Sequence, residues 1–209
     1  AYLMGFYDRH ILPRFINCAC SLKPIGKQRE KVVPLASGTV LEVGIGTGLN
    51  LPYYDPERVD RLIGLDPSEE SWELAAERAA HLDFDLEFIG LPGEQIPLAD
   101  HSVDTVLVTY ALCTIPDPVA ALRGITRVLR PEGRLIFCEH GKAPDAEVCK
   151  WQNRINPYWR RIAGGCNLNR DIPKLLAGGG FKILDMDKSY LPGTPRFAGY
   201  NFWGSARPA

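Results

Sequence analysis

The chain has 209 residues, of which 45% are hydrophobic and 23% charged, and its formal net charge is −1. That length suffices for one α/β domain with an adequate core. Near-neutrality excludes a nucleic-acid backbone as the main partner, and no apolar run reaches membrane-span length or forms a signal peptide.

Taken from the N-terminus, Ile11, Leu12, Phe15, Ile16 and Ala19 fall at helical spacing, interrupted by Pro13. A second helix is expected from about Lys27 to Leu35, opened by Pro24-Ile25-Gly26 and carrying Lys27, Arg29 and Lys31. Residues 1–36 therefore read either as a helical lid over a ligand or as a pad on one face of a sheet. Tyr7, beside Asp8 and Arg9, is the residue of this region best suited to close over a polar ligand.

The most informative stretch follows, TVLEVGIGTGLNL from Thr39 to Leu51. Thr39, Val40, Leu41 and Val43 make a buried-strand run, interrupted by the acid Glu42. Gly44, Gly46 and Gly48 then alternate, giving a sharp turn and close backbone approach for a ligand. Spacing and charge narrow the ligand. The dinucleotide fingerprint is G-x-G-x-x-G facing a pyrophosphate, whereas this spacing is one residue shorter and Glu42 would repel a diphosphate. A carboxylate there suits a cationic ligand, and S-adenosylmethionine (SAM) carries an ammonium and a sulfonium with no phosphate.

Leu51 to Arg58, rich in proline and tyrosine, is expected to end the helix that follows this loop. A second strand, Arg61 to Leu65, runs into Asp66-Pro67-Ser68. An acid at that point is where ribose hydroxyls are held in doubly wound folds; the alternative for Asp66 is an N-cap, in competition with Ser68, for a helix over about 69–81. Leu86 to Ile89 reads as a third strand, and Gly93 with Glu94 in the following loop either meets an adenine or is solvated surface. The fourth strand, Thr105 to Thr109, continues into Tyr110, Ala111, Leu112 and Cys113. Its carboxyl end lies at the switch point where ligands collect, so Thr109, Tyr110 and Cys113 can meet cofactor and acceptor; Cys113 also suits the role of a small buried hydrophobe.

A helix from Pro118 to Leu129 and a turn at Arg130-Pro131-Glu132-Gly133 lead to a fifth strand, Arg134 to Cys138. His140 follows at the ligand end of that strand, either as a general base or as a structural histidine. Residues 146–169 gather Trp151, Tyr158 and Trp159 with Arg154, Arg160 and Arg161. Such a stretch can wall an acceptor pocket or serve as amphipathic cover. A short helix from Arg170 to Ala177 and two last strands, Phe181 to Met186 and Phe197 to Ala206, complete the chain. Six cysteines are spread along it, and the one close pair, Cys18-x-Cys20, lacks zinc-ribbon spacing, so reduced thiols and no metal site are expected.

LEVGIGTG, the acid of GLDPS, SVDTVLVTYAL and RVLRPEGRLIF together resemble the class I SAM-dependent methyltransferases. GTGLNL with YYDP, GEQ before LADHSVD, ALCTI, FCEH, the Trp151–Trp159 stretch and GCNLNRD are similar to the thiol S-methyltransferases of animal microsomes and their bacterial relatives. That resemblance implies a Rossmann-like α/β fold, with a seven-stranded, mostly parallel sheet whose last strand is antiparallel. It implies one methyltransferase domain over 1–209, with residues 1–36 as lid and 144–170 as acceptor cover. The implied SAM contacts are Tyr7, Glu42, Gly44, Gly46, Gly48, Asn50, Asp66, Pro67, Gly93, Glu94, Thr109 and Tyr110; His140, Tyr110 and Cys113 would serve the chemistry, which yields S-adenosylhomocysteine. The acceptor is a small molecule: a thiol first, and a phospholipid amine or quinol as alternatives in the bacterial branch. A SAM-binding module without turnover and an NAD-dependent oxidoreductase are the remaining readings. The long N-terminal anchor of the animal proteins has no counterpart in this sequence, so the expectation is cytoplasmic, with peripheral lipid contact left open.

Overall fold

A computed structural model describes residues 17–209 apart from Ala19, His81 and Asp83. Tyr7 and most of the expected first helix therefore lie outside the described residues. Three strands form the middle of the sheet: β1 (Gly38–Val43), β4 (Val103–Thr109) and β5 (Leu129–His140). Each alternates between two cores. Leu41, Val43, Val106, Val108, Leu135 and Phe137 face one side, while Val40, Leu107, Ile136 and Cys138 face the other. Strands buried on both faces need helices on both faces, which is the setting of a parallel sheet.

The remaining strands are β2 (Val59–Leu65), β3 (Asp85–Ile89), β6 (Phe181–Tyr190) and β7 (Tyr200–Pro208), in the order β3-β2-β1-β4-β5-β7-β6. Pairing is parallel from β3 through β5, and β7 runs antiparallel to both β5 and β6. This is the expected seven-stranded, mostly parallel sheet with an antiparallel last strand. The strand order reverses between β1 and β4, which opens a crevice beyond their carboxyl ends.

Among the described residues, the helices that pack around the sheet include α1 (Lys23–Val32), α2 (Glu69–Ala79), α3 (Pro118–Val128), α4 (Ala146–Ile162), α5 (Ile172–Gly178) and the short α6 (Arg196–Gly199). Helix α3 buries Ala121, Leu122, Ile125 and Val128, and α5 buries Ile172 and Leu176, on the Leu41 side. Val32 and the following Val33 join the Val40 side. Side-chain caps start three of them: Ser68 accepts from the Ser71 N–H, Asp117 from Ala120 and Asp171 from Lys174. Gln152 of α4 ties the loop after β5 to the segment after α4 and to α6. Its Oε1 accepts the Ala143 N–H at 2.9 Å, and its Nε2 faces the Gly141, Leu168 and Phe197 carbonyls at 3.0, 2.9 and 3.0 Å.

Four sequence expectations change. The last strand, expected from Phe197, begins at Tyr200, since Arg196–Gly199 forms α6. No α-helix forms between β1 and β2; a single 3-10 turn, Leu51–Tyr53, takes its place. Gly44, Gly46 and Gly48 all hold left-handed backbone, and Pro52 follows at once, so no helical register is established before the chain must turn back. The helix expected from Lys27 begins at Lys23, with Pro24 inside its first turn, where the missing N–H costs nothing. Residues 130–133 form a bulge inside β5 and not a separate turn, since Val103 pairs Leu129 while Thr105 already pairs Arg134.

Candidate active site

The glycine loop leaves β1 with φ of +78°, +51° and +73° at Gly44, Gly46 and Gly48. A Cβ at Gly44 would overlap that of Ala111, and one at Gly48 would lie 2.7 Å from Leu51 Cδ1 and 2.9 Å from Ala75 Cβ. Packing therefore demands glycine at both. Gly46 differs: the nearest atoms to an added Cβ are Asp66 Oδ2 and the Gly44 carbonyl, both at 3.9 Å. Its open side marks the floor of the cleft. The Gly46 N–H donates to Asp66 Oδ2 at 2.9 Å, and Asp66 Oδ1 accepts the Ser68 N–H at 2.9 Å. Ser68, not Asp66, caps α2. Asp66 is thus held at the cleft edge by two backbone donors, and burial raises its pKa.

Beneath the loop lies Glu42, 1% exposed. Its Oε1 accepts from Asn50 Nδ2 at 2.8 Å and its Oε2 from the Tyr54 hydroxyl at 2.6 Å. Burial pushes its carboxyl up to about 7, against the pull of Tyr54, Asn50 and the nearby Arg29 charge. Sequence reading placed that arginine only as one cation of the second helix. Arg29 of α1 is 5% exposed; its guanidinium donates to Asn50 Oδ1 at 2.5 Å and to Thr109 Oγ1 at 2.9 Å, with its Cζ 5.3 Å from the Tyr110 ring centroid. Its Nε is buried with no partner among the described residues. The signal was helical spacing, because Arg29 shares a face with buried Val32 and Val33, three and four residues on.

Across the cleft, Thr109 Oγ1 also accepts from Asn50 Nδ2 at 2.8 Å, tying the glycine loop to the end of β4. Tyr110 turns into left-handed backbone at φ +54°, a strained conformation for a bulky residue. Its N–H donates to the Cys138 carbonyl at 2.9 Å and its hydroxyl to Asn201 Oδ1 at 2.8 Å. Glu139 is fully buried; its Oε1 accepts the Ala111 and Leu112 N–H groups at 2.7 and 3.0 Å, while Oε2 has no partner among the described residues. Burial pushes this carboxyl up to about 8, with the Cys113 sulfur adding to the rise.

Cys113, His140 and Cys166 meet next to it, with their ligand atoms all within 4.8 Å of one another. His140 Nε2 lies 3.2 Å from Cys166 Sγ, and its buried Nδ1 has no partner among the described residues. A hydrogen bond from Cys166 holds the Cys113 thiol well below its ordinary range, and Cys166 is raised by the same contact. Burial acts to lower the His140 pKa, but the Cys113 sulfur outweighs it and the net shift is upward. Sequence spacing gave no hint of Cys166, which the loop after α4 brings in.

Gly93 and Glu94 sit further out. A Cβ at Gly93 would press on Ile115 Cδ1 at 2.9 Å, and Glu94 Oε1 accepts the Asp117 N–H at 3.0 Å, ahead of α3. Pro67, next to Asp66, is exposed. The aromatic–cationic stretch forms α4, whose buried positions include polar Gln152 and Asn156, while Trp151 and Tyr158 face outward at 59% and 70% exposure. Of its three aromatics, Trp159 is the most enclosed; its ring stands edge-on to Phe197 at 6.1 Å.

An open Gly46, a ribose-type carboxylate at Asp66 and a buried acid under the loop fit a nucleoside ligand with positive charge and no phosphate. Comparison with known proteins agrees. A family model described as a methyltransferase domain matches residues 41–137. Human thiol S-methyltransferase TMT1B is 36% identical over 176 residues, 78% of this chain and 71% of that protein. A phosphatidylethanolamine N-methyltransferase of Cereibacter sphaeroides is 32% identical over 118 residues, 54% of this chain and 57% of that protein. Among solved structures, the geranyl diphosphate C-methyltransferase of Streptomyces coelicolor A3(2), in complex with Mg2+, geranyl diphosphate and S-adenosyl-L-homocysteine, matches with a TM-score of 0.67 at 14% identity, covering 88% of this chain and 79% of that one.

Proposed function

We propose that this chain, which belongs to the class I SAM-dependent methyltransferase family together with the thiol S-methyltransferases, methylates a small-molecule thiol. The observation that carries the acceptor class is its 36% identity to human thiol S-methyltransferase TMT1B across 71% of that protein. The cofactor supplies an electrophilic methyl on a sulfonium. The chain supplies the rest.

In this reading Asp66 accepts the two ribose hydroxyls, with Pro67 beside them. The loop of Gly44, Gly46 and Gly48 carries the methionine part, with Glu42 and Asn50 beneath it and Thr109 and Tyr110 across the cleft. Gly93 and Glu94 flank the adenine, where the second Glu94 oxygen remains to accept from its amino group. Residues 144–170 cover the acceptor. Alignment of acceptor and methyl in a dehydrated pocket would supply much of the acceleration.

An alkyl thiol is mostly protonated at neutral pH, whereas the thiolate is the nucleophile. The cluster of Cys113, His140 and Cys166, at the carboxyl ends of β4 and β5, is where that deprotonation would be managed. The six cysteines are all free, which suits a reducing compartment and supports a cytoplasmic assignment. Among the described residues no helix is long and apolar enough to cross a membrane.

The test is SAM turnover against a panel of thiols, amines and quinols, read as S-adenosylhomocysteine and methylated product by mass spectrometry. Methylated thiols are expected. Turnover confined to a phospholipid amine or a quinol would reject the thiol reading, and binding of NAD in place of SAM would reject the whole assignment.

A further inference from the structure

We propose that Cys113, His140 and Cys166 are the protein ligands of a zinc ion whose fourth position takes the sulfur of the acceptor thiol. The proposal rests on the thiol reading above and adds to it a means of making the thiolate. It also departs from the expectation of no metal, which was drawn from cysteine spacing along the chain. Here the ligands come from three separate places: the turn after β4, the last residue of β5 and the loop after α4. Only the sheet topology brings them together.

Geometry is the first support. The ligand atoms lie within 4.8 Å of one another, and Cys166 Sγ is 3.2 Å from His140 Nε2. Tetrahedral zinc, with bonds of about 2.3 Å to sulfur and about 2.0 Å to nitrogen, sets donor–donor separations of roughly 3.5–3.8 Å. Side-chain adjustments of an ångström or less would close the site. The second support is ligand chemistry. Two thiols and an imidazole select a soft or borderline ion such as zinc over magnesium or calcium. Three protein ligands of this kind with one open position are the mark of a reactive zinc site, whereas structural sites use four.

Burial adds direction. Cys113 is 3% exposed, while His140 and Cys166 are half-buried, so the cluster lies between the core and the surface. The frame is stiff as well. Asn167 donates both its backbone N–H and its Nδ2 to the Cys113 carbonyl, each at 2.9 Å, and accepts from Asn156 Nδ2 at 3.3 Å. The residue next to Cys166 thereby locks the loop of one ligand to the turn of another. Arg170, whose guanidinium donates to the Leu112 carbonyl, offers positive charge near the two sulfurs. That suits a site which, with a third thiolate bound, carries net negative charge.

The step balances without a redox partner. The acceptor thiol loses its S–H proton to solvent as its sulfur binds zinc. A sulfur lone pair then forms the new carbon–sulfur bond while the methyl–sulfonium bond breaks, its electron pair passing to the departing sulfur. Two neutral thioethers result, and the methylated one, no longer a thiolate, leaves the metal.

Metal analysis of the purified full chain tests this, together with cobalt titration of the reduced, chelator-stripped protein. About one zinc per chain is expected, and cobalt should give thiolate charge-transfer and tetrahedral ligand-field bands. Cys166→Ser and Cys113→Ser should each lower zinc content and weaken those bands while SAM binding, measured by calorimetry, persists. Persistent SAM binding shows that the variants fold. No zinc as purified and no thiolate–cobalt band would overturn the proposal. So would undiminished thiol methylation by protein shown to be metal-free, a result that leaves the proposed activity standing. A zinc-loaded protein that methylates only amines or quinols would instead overturn the acceptor assigned to both.

Discussion

Glu42→Gln should remove from SAM binding the pH dependence that Glu42 contributes between about pH 6 and pH 8. Burial pushes the Glu42 carboxyl from an ordinary 4.5 up to about 7. A folded-state pKa above the unfolded value means that the fold prefers the protonated form. Stability from this group is complete below pH 4.5 and is lost as pH rises through 7. The rise corresponds to roughly 3 kcal/mol, borne in full once the carboxyl ionises. A cation seated on the glycine loop favours the ionised form, so binding expels the proton. At pH 6 most ligand-free molecules are protonated, and affinity should be about tenfold weaker than at pH 8, with close to one proton released per SAM. Calorimetry in buffers of different ionisation heat counts that proton directly. The ligand's own ammonium also titrates, near pH 8, but equally for both proteins, so the difference between wild type and variant is the quantity to read. Equal pH slopes in the two proteins, or no proton release at pH 6, would refute the placement of a cation over Glu42.

Gly44→Ala and Gly46→Ala should separate stability from binding. The first forces a Cβ onto Ala111 and should cost several kcal/mol in urea melts, whereas the second, with open space around it, should cost about 1–2 kcal/mol for its left-handed backbone yet strongly weaken SAM. Asp66→Ala should raise the SAM dissociation constant by about two orders of magnitude or more, since two hydrogen bonds to a charged group go at once; a retained affinity in a protein with a native melt would show that the ribose lies elsewhere. Gln152→Ala should lower stability by about 3 kcal/mol, since it leaves the Ala143 N–H and three carbonyls short of a partner. Circular-dichroism melts would check it, and a drop under about 0.5 kcal/mol, the scale of a surface substitution, would count against the anchor.

The parts of the fold that local pattern controls were legible. Val40 to Val43, Thr105 to Thr109 and Arg134 to Cys138 read as strands because both of their faces are apolar, and the structure buries both. Ser68 announces a helix start because a cap needs only a short side chain and the next turn. Misreadings fell where a local cue had two outcomes. A glycine turn after β1 can open a helix or, with Pro52 close behind, a 3-10 turn. Pro131 and Gly133 suggest a chain reversal, yet β5 continues through them as a bulge, and a Cβ added at Gly133 would lie 2.9 Å from the Asp104 carbonyl oxygen, too close to fit.

The two halves of the site divide along the same line. The residues proposed for the cofactor, Glu42, Gly44, Gly46, Gly48 and Asp66, fall within two short stretches at the ends of β1 and β2, so they could be proposed from sequence. Arg29 was not, because its burial depends on α1 docking where the guanidinium reaches Thr109 at the end of β4, eighty residues away in the chain. Cys166 is the extreme case. It stands 26 residues beyond His140 and only packing of α4 returns it to the end of β5. An acceptor site assembled from loops after different strands has no spacing rule to betray it, and a cysteine there looks the same as one buried for packing.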